Sequence, residues 1–511
     1  MRQYELFEIK LKAAEPKGSH VDVDLKGTFE VNGKKTEARG FYAGNENWAV
    51  RFCPEEAGTC RYQIHGTDGT GEPIELSGSM EVEPAAQGRH GVVRPAGTHF
   101  QYADGSWFYP FGTTVYALSH QEDALVEQTF GTLESAPFNK VRMCVFPKHY
   151  DYNHNEPPCF AFEKKDGAWD TGKPNPVFWA RLEDHILRLD QMGIQCDLIL
   201  FHPYDCWGFS GLSREEALVY LDYAARRLSA FPNIWWSLAN EYDLMEYEME
   251  DWEAFAKFLH ENDPYGHLLS NHQIVRPWDF TNPYTTHICL QTSALTHVSA
   301  EIQKFGKPLM IDECCYEGNV PFGWGNVSGF ELVNRFWTVC MQGGYCTHGE
   351  TFLNEEEILW WSKGGTLIGE GPSRIRFLRE ILESLPGPLT FSGKDYTKEV
   401  FEGMRAQIPE EQRKTPFVRL LMKVSWDEAK GMLDSDREFA GNCGDEAYMK
   451  YYGRHCTCQG KLTLPEENRY DVEVIDVWEM TRRTALYNVS GETEVELPGK
   501  EGIAVLARKV E

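Results

Sequence analysis

The sequence predicts an α/β protein built as a central (β/α)8 TIM barrel flanked by two small all-β sandwich domains. Three observations predict it. Residues 1–85 alternate apolar and polar positions at period two between Gly, Asn, Pro and Asp punctuation. Residues 99–390 interleave eight short apolar runs with segments whose apolar spacing is near 3.6. Residues 391–511 return to alternation. At 511 residues the chain has room for this many domains.

Each element follows from its own pattern. The first sandwich is read from YELFEIKLKA, VDVDLKGTFEV, ENWAVRFCP, TCRYQIHGT and GSMEVEP. Residues 86–98, AAQGRHGVVRPAG, read as a linker rich in turn residues. The barrel strands are expected at 108–116, 139–146, 196–201, 233–238, 267–272, 287–292, 308–313 and 343–348. Helices are expected in FWARLEDHILRLDQMG, SREEALVYLDYAARRLSAF, MEDWEAFAKFLHEND and ELVNRFWTVCMQ. Connections after the fifth strand are short. The second sandwich is read from PFVRLLMKV, AYMKYYGRH, QGKLTLP, YDVEVIDVW, RRTALYNV, TEVELP and GIAVLARK.

Composition excludes several classes of function. Lys and Arg total 50 against 78 Asp and Glu, a formal net charge of −28. Binders of phosphate backbones and of anionic membranes carry a basic face, so neither nucleic acid nor membrane is an expected partner. There is no run of eighteen apolar residues to span a bilayer. Glu5, Glu8, Lys10 and Lys12 interrupt any apolar core a signal peptide would need, so a cytoplasmic location is expected. The 14 cysteines form no CxxC pair and read as reduced, buried thiols, with Cys53 and Cys60 placed to face each other across a hairpin. His149, Asp151 and His154 cluster in HYDYNHN, but no HExxH helix accompanies them. GEGPSR lacks the spacing of a phosphate loop, and no GxSxG occurs. No metal and no cofactor is expected. The oligomeric state stays open, a homo-oligomer included.

In a barrel of this kind the chemistry sits at the C-terminal ends of the strands. The fourth strand ends SLANEYDL, which places Asn240 and Glu241 at the mouth, and the seventh ends MIDECCYEG, which places Glu313 there. Two carboxyl groups across one opening are what glycosidic bond cleavage needs, one protonated for the leaving group and one ionised to attack or to activate water. Asp312 is the nearest competitor, but strand alternation points it away from the side Glu313 faces. Glu317 and Glu350 are further carboxylates near the mouth.

These strand ends resemble the large clan of retaining glycoside hydrolases built on TIM barrels. GTFEVNGKK and GFYAGNENWAVRFCPEEAGTCRYQI resemble the β-sandwich that precedes apiosidase-like barrels, and FGTTVYAL and FNKVRMCVFPKHYDYN are similar to the start of those barrels. The resemblance covers nearly the whole chain. It implies Glu241 as general acid/base, Glu313 as nucleophile, Asn240 on the sugar 2-hydroxyl, and Arg142 beside the nucleophile. The sequence departs from the clan where strand six ends at Gln291 rather than Tyr, and where strand eight ends THGE, with His348 and Glu350, rather than Trp.

Aromatic faces that pack on sugar rings and polar groups that read hydroxyls are expected among Tyr116, His149, Tyr150, His202, Tyr204, Trp207, His272, Trp324 and His348. Trp235 and Trp236 lie within strand four, at least one of them in the core. The expected function is a retaining glycoside hydrolase that removes a terminal sugar from a small glycoside or oligosaccharide. The alternatives are a non-catalytic carbohydrate-binding barrel and a metal-dependent barrel hydrolase.

Overall fold

The computed structural model describes residues 1–393, 397–435 and 438–510. The chain divides into two units. One comprises Met1–Thr292, Lys307–Gly329 and Cys346–Pro372, the other Ser293–Gly306, Phe330–Tyr345 and Ser373–Glu511.

In the first unit, a three-stranded sheet (Phe7–Lys12, Asn47–Phe52, Phe41–Gly44) faces a four-stranded one (Lys34–Arg39, Leu25–Val31, Gly58–Thr67, Pro73–Val82). Alternation along Leu25–Val31 buries Leu25, Gly27, Phe29 and Val31. These side chains meet Trp48, Val50 and Phe52 of the other sheet in one apolar cluster, where the Phe29 and Phe52 rings stack at 4.4 Å. Cys60 belongs to this cluster but Cys53 packs in a separate one, so the two do not face each other, and all 14 cysteines are free thiols. Within the stretch read as a linker, Val93–Ala96 forms a strand that pairs with His99–Tyr102.

The barrel strands are one (Phe111–Thr114), two (Lys140–Cys144), three (Gln195–Phe201), four (Ile234–Asn240), five (Leu269–His272), six (Ile288–Gln291), seven (Leu309–Glu313) and eight (Tyr345–His348). They run parallel in the spatial order five-four-three-two-one-eight-seven-six. The Thr286 amide donates to the Leu269 carbonyl at the remaining gap, so the barrel nearly closes. Helices follow strands one to four, and their starts are written in the sequence. Asn175 accepts from the Val177 amide with Pro176 in the first turn. Ser213 and Glu216 form a capping box. Strand five leads to strand six through a loop with no helix. Phe100 and Phe108 pack on Trp235 inside the barrel, and Trp236 is buried as well.

In the second unit a six-stranded sheet (Thr390–Phe391, Phe439–Cys443, Ala447–Tyr451, Ile503–Lys509, Tyr470–Asp476, Thr481–Val489) accompanies a two-stranded one (Gln459–Leu464, Gly491–Glu496). Tyr470, Val472, Leu462, Val495 and Val505 share their core. PFVRLLMKV, expected as a strand, is instead the helix Pro416–Leu421, with Phe417 and Leu420 exposed. Proline in the first helical position and the Arg-Leu-Leu run favour helix over a strand whose alternation was only approximate. Among the described residues no helix is long and apolar enough to cross a membrane.

Candidate active site

A cavity of about 540 Å3 opens at the C-terminal ends of the strands. Glu241, Glu313, Asn240, His149, Tyr150, Tyr204, Gln291 and Trp324 of the sequence-derived candidates line it, with Tyr116. So do Lys148, Asp151, Ile274, Tyr316, Phe322 and Trp361, which were not among them.

Both glutamates are almost wholly buried. Glu241 turns the chain out of strand four with a left-handed backbone, φ +58°, ψ +56°. Its carboxylate accepts from the Tyr204 hydroxyl and from Gln291. Burial raises its pKa, and the charge of Glu313 raises it further. Lys148 and the two hydrogen bonds pull the other way without reversing the direction. The Tyr116 hydroxyl lies between Glu313 Oε1 and Asn240 Oδ1, 2.9 Å from the latter, and its one proton can serve only one of them at a time. Asn240 Nδ2 is buried, and among the described residues it has no acceptor.

Arg142 lies behind Glu313 rather than on the cavity wall, with Nη1 3.8 Å from Oε1. It belongs to a buried charge network in the barrel interior. Lys140 Nζ is 2.7 Å from Asp197 and 2.5 Å from Asp312, Arg142 Nε is 3.5 Å from Asp197, and Cys289 Sγ donates to Asp312 at 2.9 Å. Asp312 therefore does not point away from the Glu313 side, because both acids reach Arg142. The register supplies the reason. Leu290 pairs with Ile311 but Gln291 with Glu313, so Asp312 is the extra residue of a bulge and alternation breaks there.

Besides Arg142, five candidates lie outside the cavity lining. His202 is buried and donates from Nε2 to the Phe146 carbonyl at 3.1 Å, and burial pushes its pKa down to about 4. Trp207 donates to Glu156 and packs edge-on against His149. His272 is fully buried at the end of strand five. His348 shares a hydrogen bond with Thr113 Oγ1 at 3.0 Å, and Thr113 Oγ1 also accepts from Trp360 Nε1. Glu350 accepts the amides of Ile368 and Gly369, while Glu317 accepts those of Glu370 and Gly371.

The donor atoms of Glu317, His348 and Glu350 converge within 4.8 Å, which is the arrangement a cation could use. All four carboxylate oxygens already hold a backbone N–H, so the pair serves as a clamp on the chain at 368–371. Asp151, at the rim, is exposed, and His154 Nδ1 lies 3.3 Å from His149 Nε2.

The two departures at strands six and eight are answered by other elements. Tyr116 from the end of strand one and Tyr316 from beyond strand seven bring phenols to Glu313. Trp361, from the loop after strand eight, packs on Tyr116, Tyr150 and Tyr316 at 6.0, 5.0 and 5.6 Å. The Trp-Trp pair that begins 10 residues past THGE is its signal in the sequence.

Comparison with known proteins bears on the family and the fold. The profile described as "Apiosidase-like, catalytic domain" matches residues 94–386. Two domains of unknown function, DUF5060 and DUF5605, match residues 1–67 and 435–508. A crystal structure from Bacteroides vulgatus ATCC 8482, of a protein classed by inference as a glycoside hydrolase, is 32% identical. It covers 100% of this chain and 99% of its own, with a TM-score of 0.85. A glycoside hydrolase family 5 protein from the same organism shares the fold at 15% identity and TM-score 0.59, over 82% of this chain and 93% of its own. No curated protein matches the chain. With a profile match across more than half of its length and a full-length relative above 30% identity, the chain belongs to the apiosidase-like family of glycoside hydrolases.

Proposed function

We propose that the enzyme is a retaining glycoside hydrolase acting on the terminal sugar of a small glycoside or oligosaccharide, with Glu241 as general acid/base and Glu313 as nucleophile. The observation that carries this reading is the pair of buried carboxyl groups in one cavity, where burial and then the charge of Glu313 lift Glu241 toward its protonated form. A carboxyl held toward its protonated form suits the acid, which leaves its neighbour for the nucleophile. Tyr116 and Arg142 attend Glu313, the charge the attack requires.

In the first step the Glu313 carboxylate attacks the anomeric carbon while Glu241 gives its proton to the glycosidic oxygen, and the aglycone departs as an alcohol. In the second, the ionised Glu241 takes a proton from water, the hydroxide attacks the same carbon, and Glu313 leaves as carboxylate. Asn240 Nδ2, without an acceptor among the described residues, is placed to donate to a sugar hydroxyl. Trp324, Phe322 and Trp361 supply apolar walls. The fourteen free thiols support a reducing compartment such as the cytoplasm, where short imported glycosides are the available substrates.

The test is a screen of aryl α- and β-glycosides of common pentoses and hexoses with Glu241→Gln and Glu313→Gln alongside, followed by NMR of the first-formed anomer. Loss of turnover by a factor of about 10²–10⁴ or more in both variants, with retained configuration, is expected. Normal activity in either variant, or inversion, overturns the assignment.

A further inference from the structure

Lys148 is fixed before its side chain is considered. The Val145 amide donates to Ile199 O and the His149 amide to Tyr204 O, which pins the segment on both sides. Asn153 Nδ2 donates to the carbonyl of Lys148 itself. The side chain then runs into the cavity and is 2% exposed. Its Nζ stands 3.4 Å from the centroid of the Tyr116 ring, 4.4 Å from Tyr204 and 4.5 Å from Tyr150. Three aromatic faces hold the cation through their quadrupoles, but they do not satisfy its three N–H donors. Among the described residues no hydrogen bond or ion pair reaches Nζ. A buried ammonium with open donors is costly unless something completes it.

Charge decides what that acceptor is. Lys148 is faced by Arg142 and Cys144 of strand two, His202 beyond strand three, Glu241 of strand four, His272 of strand five and Glu313 of strand seven. Deeper in the barrel Lys140 and Arg142 balance Asp197 and Asp312. In the cavity, Lys148 faces two carboxyl groups, Glu241 and Glu313, and Asp151 at the rim adds negative charge. A carboxylate-bearing sugar would bring in a further negative charge with no partner. A hydroxyl would not.

We propose that Lys148 anchors the substrate, donating from Nζ to a hydroxyl of an uncharged sugar seated between Glu241 and Glu313, and that its charge steadies Glu241 once the proton has left. This rests on the glycosidase reading above. It adds an assignment for a residue that neither the strand-end pattern nor the family comparison singles out, and it sets uronic acids outside the substrate class.

The test uses the full-length protein and the aryl glycoside it turns over fastest. Lys148→Met is expected to raise KM about 10–100-fold, the loss of a charged hydrogen bond. It is also expected to move the alkaline limb of the pH profile upward by about one unit, as Glu241 loses a neighbouring cation. Lys148→Arg keeps the charge, so its limb stays in place while KM rises. Melting curves accompany both variants, and if the Met variant is unfolded at assay temperature the Arg variant decides alone. A neutral glycoside is expected to outperform its uronide. Unchanged KM and unchanged limb in Lys148→Met, unchanged KM in Lys148→Arg, or a preferred uronide, overturns the proposal. These outcomes leave the glutamate assignment standing, whereas activity surviving in Glu241→Gln or Glu313→Gln removes that assignment itself. If no aryl glycoside is cleaved, calorimetry with the same neutral sugars and uronic acids reads the anchor directly. Lost affinity for a neutral sugar in Lys148→Met supports it, and equal affinity refutes it.

Discussion

Replacing Tyr204 by Phe isolates one interaction on the acid. The Tyr204 hydroxyl donates to Glu241 Oε2, and burial together with the charge of Glu241 raises the pKa of the phenol, so it remains a donor at every working pH. A donor to a carboxylate favours the ionised form, and its removal raises the pKa of the acid. Hydrogen bonds to charged groups contribute about 1.5–3 kcal/mol, and Tyr204 is only partly buried, so the lower end applies. At 1.36 kcal/mol per unit, about 1.5 kcal/mol moves the Glu241 titration up by about one pH unit. The direction adds to the rise that burial and Glu313 already cause.

The assay is kcat/KM from pH 5 to 10 with two substrates of different leaving group. With a poor leaving group, which needs the acid, the alkaline limb of Tyr204→Phe lies about one unit above that of the unmodified protein. With dinitrophenolate, which departs without a proton, that limb is weak in both proteins. A limb that stays in place, or moves to lower pH, refutes the reasoning and separates Tyr204 from Glu241 in function.

Two further predictions concern stability. Burial alone would raise the pKa of Glu183, but the guanidiniums of Arg51 and Arg227 outweigh it and hold the carboxyl at about 2. That stabilisation is present above pH 4.5 and is lost as pH falls toward 2. Glu183→Gln therefore costs about 3–5 kcal/mol at pH 7 and flattens the acid side of the melting curve, measured by thermal denaturation from pH 3 to 7. Glu350 is the reverse case. Burial and nearby Glu317 push it up to about 7 against the two amides it accepts. Its contribution is complete below pH 4.5 and fades as pH rises through 7, by at most about 3 kcal/mol. The melting temperature is expected to fall between about pH 4.5 and 7, and Glu350→Gln to show a shallower slope over that range.

The barrel was legible because each strand is a short apolar run closed by turn residues, and because a parallel barrel gathers all its strand ends on one rim. Asn240, Glu241 and Glu313 are strand-end residues, so their meeting follows from topology alone. Lys148, Tyr316, Phe322 and Trp361 come from loops, whose course depends on tertiary contacts such as the amides of Val145 and His149. His202, His272 and His348 sit at strand ends like the glutamates, yet point into the packed interior. Position along a strand gives height in the barrel, not the direction of the side chain. The strand Lys34–Arg39 leaves no mark in the sequence because KKTEAR is largely exposed and carries no apolar alternation. Asp312 departs from strand alternation because one bulge against strand six cancels the period there.

The left-handed backbone of Glu241 has a consequence for anyone altering this protein. A side chain other than Gly, Asn or Asp in that region carries a strain of about 1–2 kcal/mol, which the surrounding fold must hold in place. Glycine or asparagine would relieve it, and would also remove a buried carboxyl group beside a second one. At position 241, then, improvement in melting temperature and loss of the acid run together. On the role proposed for Glu241, variants chosen for thermal robustness alone will drift toward an inert barrel with its pocket intact.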